Sequence, residues 1–317
     1  MKIFRDLGAL PTFNNAGLTI GSYDGVHIGH QQIIKQIIDH AREVQGETVL
    51  ITFEPHPRLV LQQSVQPGQE LRLLTDIHEK SRLLETYGVD NLIITPFTRA
   101  FASQSPEAYI EDFLVRNFQP KRIVIGYDHK FGKARAGDIG YLKKFETVHG
   151  FKVHEIQPQT VKDIAVSSTK IRTAILEGDA ARAHELLGHP FSLGGQVVRG
   201  KQKGRSIGFP TANIAVDNPH KLIPADGVYA VRVRVAAHTF SGMLYIGKSL
   251  TNQKRTIEVN IFDFDRDIYE QDIRVDFYHW VRGDQRFDGL PALKGQLARD
   301  QAKVLELLEE PLKSDRS

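Results

Sequence analysis

Short apolar runs rich in β-branched residues alternate with longer amphipathic segments in the first half of the chain. The runs are LTIGSYD (18–24), TVLITF (48–53), NLIITPF (91–97), KRIVIGY (121–127) and FKVHEI (151–156). Such runs are typical of strands buried on both faces of a parallel sheet. The segments over 31–46, 76–87, 105–118 and 137–149 have the period of amphipathic helices. This alternation predicts an α/β doubly wound domain that binds its ligands at the carboxyl ends of the strands.

The hydrophobic pattern changes after LLGHPF (186–191). VYAVRVRV (228–235) and TIEVNIFDF (256–264) alternate with period two, and IRVDFYHWV (273–281) is a third candidate strand. Only 290–310, near the end, has a helical pattern. We therefore predict an all-β antiparallel barrel or sandwich with a terminal helix, and two domains, 1–187 and 188–317.

Composition narrows the functional classes. The chain has 41 Lys+Arg against 38 Asp+Glu, and this small excess argues against a dedicated nucleic-acid binder. The absence of cysteine excludes disulfides and thiolate metal sites. No stretch has the length of a signal peptide or membrane span, so we expect a cytoplasmic protein without a membrane partner. Small-molecule substrates are the expected partners, and the pattern carries no expectation for the oligomeric state.

Two histidines, His27 and His30, lie in GVHIGH, between the first predicted strand and helix. A helix N-terminus offers free N–H groups and the positive end of the helix dipole, which attract phosphate. The imidazoles are candidates to stabilise transition-state charge, and glycines let the backbone approach an anion closely. The candidate glycines are Gly21, Gly25 and Gly29. The alternatives are capping or surface histidines, or a two-histidine metal site; the HxGH spacing at a strand–helix turn favours phosphate.

A second motif, SSTKIR, occupies residues 167–172. A serine/threonine pair before an apolar pattern predicts a helix start. The hydroxyls of Ser168 and Thr169 and the forked guanidinium of Arg172 suit a triphosphate, whereas a plain N-cap with a surface arginine is the simpler alternative. The pairing of SSTKIR with HxGH resembles the nucleotidyltransferase superfamily, whose HxGH loop cradles ATP phosphates. That resemblance implies a Rossmann-like fold.

A glycine-rich basic segment, GKQKGRSIGFPTANI, spans 200–214 and lacks the Walker spacing. Thr211 and Asn213 are two residues apart, so in extended chain their side-chain oxygens face the same way. Hard oxygen ligands suit Mg²⁺, which bridges substrate phosphates. Gly200, Gly204 and Arg205 are the candidate ATP contacts. The alternative is a basic turn that leads into a strand.

The order of these motifs resembles the bacterial bifunctional riboflavin kinase/FMN adenylyltransferase (FAD synthetase) family over nearly the whole chain. The resemblance includes FEPHP (53–57), IGYDHKFG (125–132), PTAN (210–213) and RGDQRFDGL (282–290). It implies an enzyme that phosphorylates riboflavin to FMN with Mg-ATP and then adenylylates FMN with a second ATP, giving FAD and pyrophosphate. It also implies that Glu258 is the base toward the ribityl hydroxyl. The two loops after predicted strands supply the candidate flavin contacts Phe53, His56 and Asp128.

The chain departs from the family pattern at three places. Ser-Tyr-Asp-Gly stands at 22–25 where the family often has Asn-Phe-Asp-Gly, and IGKSLT (246–251) replaces IGxRPT. Ala165 stands where the family often has arginine, and Lys162 and Lys170 are candidates to compensate.

Two other functions fit parts of the sequence. One is an adenylyltransferase acting on pantetheine phosphate or nicotinamide mononucleotide, with an unrelated barrel; PTAN and Glu258 argue against it. The other is an RNA-binding protein with an HIGH domain of synthetase type, which would need a basic stripe or stacking aromatics. The net charge of +3 argues against that second alternative.

Overall fold

A computed structural model describes residues 1–61, 70–161, 164–200, 203–248 and 255–309. The chain divides into two compact units. The first consists of Met1–Leu71 and Thr75–Val166, and the second of Arg72–Leu74 and Ser167–Ser317. Residues 167–187 therefore group with the second unit, and the domain boundary between 187 and 188 stays a prediction.

A six-stranded sheet with the order β1-β4-β3-β2-β5-β6 forms the centre of the first unit, and all of its strands are parallel. The strands are β1 (Lys2–Phe4), β2 (Gly17–Ile20), β3 (Thr48–Glu54), β4 (Asn91–Pro96), β5 (Arg122–Gly126) and β6 (Lys152–Ile156). Alternate residues of β3 belong to different cores: Val49 and Ile51 pack in one cluster and Leu50 in the other. Both faces of the sheet are thus covered, which confirms the doubly wound prediction.

The four helical segments predicted for the first unit all contain helices, with three differences, and the two short helices that follow β3 and β4 were not predicted. They are α1 (Ile28–Glu43), α2 (Pro57–Leu61), α3 (Ile77–Thr86), α4 (Arg99–Ala102), α5 (Pro106–Ala108), α6 (Arg116–Phe118), α7 (Ile139–Lys143) and α8 (Glu146–His149). Helix α1 begins inside the HxGH motif, because His27 caps it. A π-helical segment, Tyr109–Val115, joins α5 to α6. The single helix predicted over 137–149 is wrong, since α7 and α8 are separate there.

A closed barrel with the strand order β10-β13-β12-β11-β14-β9 forms the second unit, and all of its pairs are antiparallel. Along the chain, the barrel is preceded by the two-stranded ribbon of the first unit, β7 (Thr160–Val161) with β8 (Ile164–Ala165). Two helices, α9 (Ser168–Leu176) and α10 (Ala180–Leu187), follow the ribbon. The remaining elements are β9 (Phe191–Val198), α11 (Lys203–Ser206), β10 (Ala212–Ala215), β11 (Gly227–Val235), β12 (His238–Lys248), β13 (Arg255–Ile261), β14 (Asp272–Arg282) and α12 (Leu290–Glu309). The barrel and its terminal helix are confirmed.

Three barrel strands were not predicted from the sequence. Glycines and serines interrupt the period-two pattern in β9 and β12, and β10 has only 4 residues. These strands exist because their neighbours in the barrel pair with them, which a local pattern does not show.

Helix α12 packs on the outside of the barrel. Val304 on the helix contacts a cluster with Val228, Ala230 and Met243, so part of β11 is buried on both faces. Asp300 on the same helix forms an ion pair with Arg282, whose guanidinium donates to the carboxylate oxygen Oδ2 from Nη2 at 2.7 Å and from Nε at 3.0 Å. Asp300 is 2% exposed, so this ion pair is shielded from water.

Asp300→Asn is expected to lower the free energy of unfolding of the second unit by about 3 kcal/mol, because it leaves the Arg282 cation without its charge partner. Denaturant unfolding followed by Trp280 fluorescence measures this unit, since the chain has 1 tryptophan and it lies on β14. Glu306→Gln is the control, because it removes an exposed pair with Lys303 on the same helix, 2.7 Å apart. That change is expected to cost under about 0.5 kcal/mol. Equal effects of the two variants would contradict the prediction.

Candidate active sites

The two histidines of the HxGH motif stack on each other at the start of α1. Their ring centroids are 3.6 Å apart with an interplanar angle of 11°. His27 is the N-cap residue, and its Nδ1 accepts a hydrogen bond from the His30 backbone N–H at 3.3 Å. His27 therefore caps the helix, as the capping alternative expects, and its 8% exposure argues against a surface role. Because Nδ1 accepts this hydrogen bond, Nε2 is the ring nitrogen that can donate to an anion.

His30 lies in the first turn of the helix beside Tyr23, with ring centroids 4.9 Å apart. Among the described residues its buried Nδ1 atom has no hydrogen-bond partner. Burial, and then the charges of His27 and Lys80, hold the pKa of His30 well below its ordinary value. The ring is therefore neutral near pH 7, and it can act as a hydrogen-bond donor rather than as a cation.

The loop before the helix adopts left-handed backbone conformations at three positions. Tyr23, Gly25 and Val26 have φ values of 48°, 83° and 40°. Only glycine adopts this region without strain, and for a β-branched valine it is rare, so neighbouring contacts must hold the loop. Thr75 provides two of them: its N–H donates to the Asp24 carboxylate at 3.0 Å, and its hydroxyl accepts from the Gly25 N–H at 3.0 Å.

The candidate flavin contacts lie where neighbouring parallel strands end. Phe53 is at the end of β3, and its ring packs against Phe97 and Phe101 with centroid distances of 5.2 and 5.6 Å. His56 follows the same strand, and its Nδ1 accepts from the Arg58 N–H at 3.1 Å. Asp128 is exposed after β5. With Gly21, directly after β2, these residues share the carboxyl edge of the sheet, the expected position for a ligand.

The SSTKIR motif begins α9, as predicted. Ser167 is the N-cap residue, and Ser168 and Thr169 occupy the first turn. The Arg172 Nε donates to the Arg72 carbonyl at 2.6 Å within the second unit. Among the residues proposed to replace the family arginine, Lys170 is exposed on this helix, whereas Lys162 lies outside the described residues, as do 249–251 of IGKSLT.

The barrel places Thr211, Asn213 and Glu258 side by side. Strands β10 and β13 pair so that Asn213 lies opposite Glu258, and the Thr211 hydroxyl donates to the Glu258 carboxylate at 3.1 Å. Glu258 is half-buried, whereas the next two residues of the strand, Val259 and Asn260, are buried. The carboxylate thus lies outside the apolar interior, at a position where it can contact a substrate.

Gly200 lies directly against the Asn213 side chain. A Cβ added at Gly200 would be 2.1 Å from Asn213 Nδ2, so no larger residue fits unless the amide moves. Gly204 lies in the tight turn around α11, where its carbonyl accepts from the Phe209 N–H at 2.9 Å. Arg205 is exposed on that turn, and residues 201–202 lie outside the described part of the chain. Asn213 therefore lies next to both the glycine-rich 200–209 loop and Glu258.

Lys80 belongs to none of the sequence motifs, and the structure places it beneath the 21–26 loop. Its Nζ donates to the Ser22 carbonyl at 2.6 Å and to the Thr52 hydroxyl at 3.2 Å, and the residue is 5% exposed. A signal was present: Lys80 lies three residues after Ile77 and four before Leu84, on the apolar stripe of α3. A lysine at such a position needs hydrogen-bond acceptors inside the protein.

Comparisons with known proteins agree with the two kinds of domain. Residues 11–170 match the family FAD synthetase and residues 187–308 the family riboflavin kinase. The bifunctional riboflavin kinase/FMN adenylyltransferase of Listeria monocytogenes is 38% identical over 290 residues, 90% of each chain. The Escherichia coli protein of the same name is 34% identical over 311 residues, 96% of this chain and 97% of its own.

A crystal structure from Streptococcus pneumoniae has the same fold. It is described as a macrolide-efflux protein, is 31% identical, and matches 96% of this chain and 98% of its own with a TM-score of 0.86. Over the part of this chain that the structure covers, no helix has the length and apolar character needed to cross a membrane.

The folds and motifs define a transferase that joins a nucleotidyltransferase to a kinase. The chain belongs to the bifunctional riboflavin kinase/FMN adenylyltransferase family, and it has the enzyme domains for both activities. The alternative with an unrelated barrel is wrong, because the barrel residues match riboflavin kinase. ATP, riboflavin and FMN are the small molecules on which this family acts.

The stability of the first unit is expected to fall as the pH drops from about 6.5 toward about 4. Burial, and then the charge of Arg135, lower the pKa of His129 to about 4, and the pKa of His30 is lowered as well. As the pH falls, these two rings therefore bind protons in the unfolded chain before they do so in the folded chain. The folded state is thus most stable at pH values above the pKa of a histidine in the unfolded chain. Hydrogen exchange of β5 at several pH values measures the effect.

His129→Gln removes one of these rings and should make that pH dependence shallower, whereas replacement of the exposed His78 should leave it unchanged. Parallel curves for the wild type and His129→Gln would contradict the prediction.

Proposed function

We propose that the chain makes FMN from riboflavin in its barrel domain and FAD from FMN in its α/β domain, and consumes one ATP in each step. We assign these activities to residues 188–317 and 1–187, respectively. The proposal rests on the observation that each half contains one set of polar residues suited to its step. The first half has stacked imidazoles at a helix N-terminus. The second half has a carboxylate flanked by side-chain oxygens.

In the kinase step, the ribityl 5′-hydroxyl oxygen of riboflavin attacks the γ-phosphorus of ATP, and ADP leaves. Glu258 takes the hydroxyl proton, which makes the oxygen a better nucleophile. The Thr211 hydroxyl at 3.1 Å holds one carboxylate oxygen and fixes the orientation of the base. Gly200, Gly204 and Arg205 are assigned to the ATP phosphates, where backbone N–H groups and a guanidinium bind negative charge.

The residues around Glu258 fit Mg²⁺. In the described part of the chain, no three His, Cys, Asp or Glu side chains form a metal cluster, so an all-protein cage is not available there. Thr211 and Asn213 instead offer a hydroxyl and an amide oxygen next to the Glu258 carboxylate. Mg²⁺ prefers such hard oxygens and completes its shell with water and phosphate. When bound, it neutralises charge on the transferred phosphoryl group.

In the adenylyl step, a phosphate oxygen of FMN attacks the α-phosphorus of ATP, the bond between the α- and β-phosphates breaks, and pyrophosphate leaves. His27 and His30 donate hydrogen bonds to the oxygens that gain charge, and the α1 N-terminus with Gly21, Gly25 and Gly29 receives the phosphates. A neutral imidazole keeps one N–H group and can therefore donate a hydrogen bond without carrying a full charge. We assign Ser168, Thr169 and Arg172 to the triphosphate.

We assign the flavin ring of FMN to the carboxyl edge of the first sheet. Phe53 supplies an aromatic surface there, and His56 and Asp128 supply polar groups on the neighbouring loops. Incubation of the protein with riboflavin, ATP and Mg²⁺, followed by chromatography, tests the whole proposal. FMN should form first and FAD afterwards, and omission of Mg²⁺ should stop both. Absence of FMN, or of FAD when FMN is supplied, would refute the corresponding half.

Glu258→Gln is expected to lower the kcat of riboflavin phosphorylation by ~10²–10⁴-fold, because the amide cannot accept the hydroxyl proton. Riboflavin binding should persist, and FAD formation from added FMN should continue. Asp272→Asn on β14 is the control, since it neutralises an exposed strand carboxylate of the same unit. If Glu258→Gln has normal turnover and an unchanged melting temperature, the base assignment is wrong.

His30→Ala is expected to slow FAD formation from FMN by ~10²–10³-fold, the usual cost of one preorganised donor to developing charge. Phosphorylation of riboflavin should remain, because that step is assigned to the other domain, and an unchanged melting temperature of the first unit shows that it is folded. His78→Ala is the matched control, because His78 is exposed on α3 in the same unit. A double variant that lacks both His27 and His30 and still forms FAD at the wild-type rate would rule out their role.

A further inference from the structure

Lys80 belongs to neither set of motif residues, yet it contacts the loop that leads into the HxGH motif. It is 5% exposed, and it donates to the Ser22 carbonyl at 2.6 Å and the Thr52 hydroxyl at 3.2 Å. The Thr52 hydroxyl in turn donates to the same Ser22 carbonyl at 3.2 Å. Two donors, the Lys80 ammonium and the Thr52 hydroxyl, thus converge on one backbone oxygen of the loop, and they also contact each other.

That backbone oxygen lies at the start of the segment with left-handed conformations. Tyr23 and Val26 hold φ values that L-residues rarely adopt, so the loop depends on its surroundings. Lys80 fixes one end of this segment through Ser22, and Thr75 fixes Asp24 and Gly25. Both anchors come from the start of α3, where Asp76 and Glu79 form a capping box. A rigid helix terminus therefore holds the backbone that leads into His27.

We propose that Lys80 is a positioning residue for adenylyl transfer: its ammonium group fixes the Ser22 carbonyl, and thereby holds the loop that places His27 and His30. The inference rests on the proposed function of the first domain. Positioning of this kind matters because a displacement of about 1 Å of a donor costs ~10²-fold in rate.

The charge of Lys80 also acts on the imidazoles. Its positive charge is one of the causes that lower the pKa of His30, after burial and His27. The carboxylates that face Lys80 are Asp24, Glu54 and Asp76, and they favour its charged form, whereas burial lowers its pKa. Removal of the ammonium is therefore expected to raise the pKa of His30, in addition to its effect on the loop.

Lys80→Met tests the inference, since methionine has a similar length and no hydrogen-bond donor. We expect the kcat of FAD formation from FMN to fall by about 10- to 100-fold, with a smaller change in the KM for FMN. Riboflavin phosphorylation should be unchanged. The NMR titration of His30, assigned with His30→Gln, should move to higher pH, because a positive charge has been removed. Lys35→Met is the control, as Lys35 is exposed on α1 and pairs with Asp39.

Two results would overturn the inference. One is a folded Lys80→Met protein that forms FAD within about twofold of the wild-type rate, which is well short of the ~10²-fold cost of misplacement. If Lys80→Met does not fold, Lys80→Gln decides instead, because glutamine keeps a polar end at this buried position but is shorter and lacks the ammonium that holds the Ser22 carbonyl. That variant should lose about three- to tenfold in kcat, the effect of one hydrogen bond, and an unchanged rate overturns the inference. A wild-type protein that forms no FAD would refute the proposed function rather than the role of Lys80.

Discussion

Hydrogen bonding between strands decides where the polar side chains of this protein meet. In the first unit, parallel pairing brings the ends of β2, β3 and β5 to one edge, so residues far apart in sequence share it. In the second unit, antiparallel pairing of β10 with β13 sets Asn213 opposite Glu258. Neither arrangement depends on the polar residues themselves. The apolar strands are stabilised by burial and by backbone pairing, and the polar side chains lie at the ends and edges of these strands.

The proposed phosphate site of the first unit is built from groups with little charge. Burial and two nearby basic groups keep the pKa of His30 low, so in the proposed role the ring donates through its N–H dipole and not through a full charge. A neutral donor aimed before the reaction begins needs no reorganisation when charge develops. The proposed site of the barrel differs, since Glu258 is half-buried and accepts a hydrogen bond from the Thr211 hydroxyl, which suits its proposed role as a base.

Backbone strain and buried charge occur together around the HxGH loop. Tyr23 and Val26 adopt left-handed conformations, while Lys80 is enclosed beneath them. Each feature is costly alone, but the lysine satisfies a loop carbonyl and the loop supplies the acceptor that a buried ammonium requires. The strained loop and the buried cation therefore depend on each other. In the second unit, Gly200 and Asn213 depend on each other in a similar way, because the amide occupies the space that a side chain would fill.

The sequence by itself determined the fold class of each half, the start of α9 and the presence of both enzyme signatures, because apolar periodicity and motif spacing are local properties. It did not predict β9, β10 or β12, whose glycines, serines and shortness hide their period. It also placed His30 in a loop, whereas the cap formed by His27 extends α1 to include it. Tertiary structure alone decided that Lys80 is buried against Ser22, which is 58 residues away in the chain. It also decided that Thr211 contacts Glu258, since these two residues are 47 positions apart. Such contacts arise from the packing of distant elements, which no local pattern encodes.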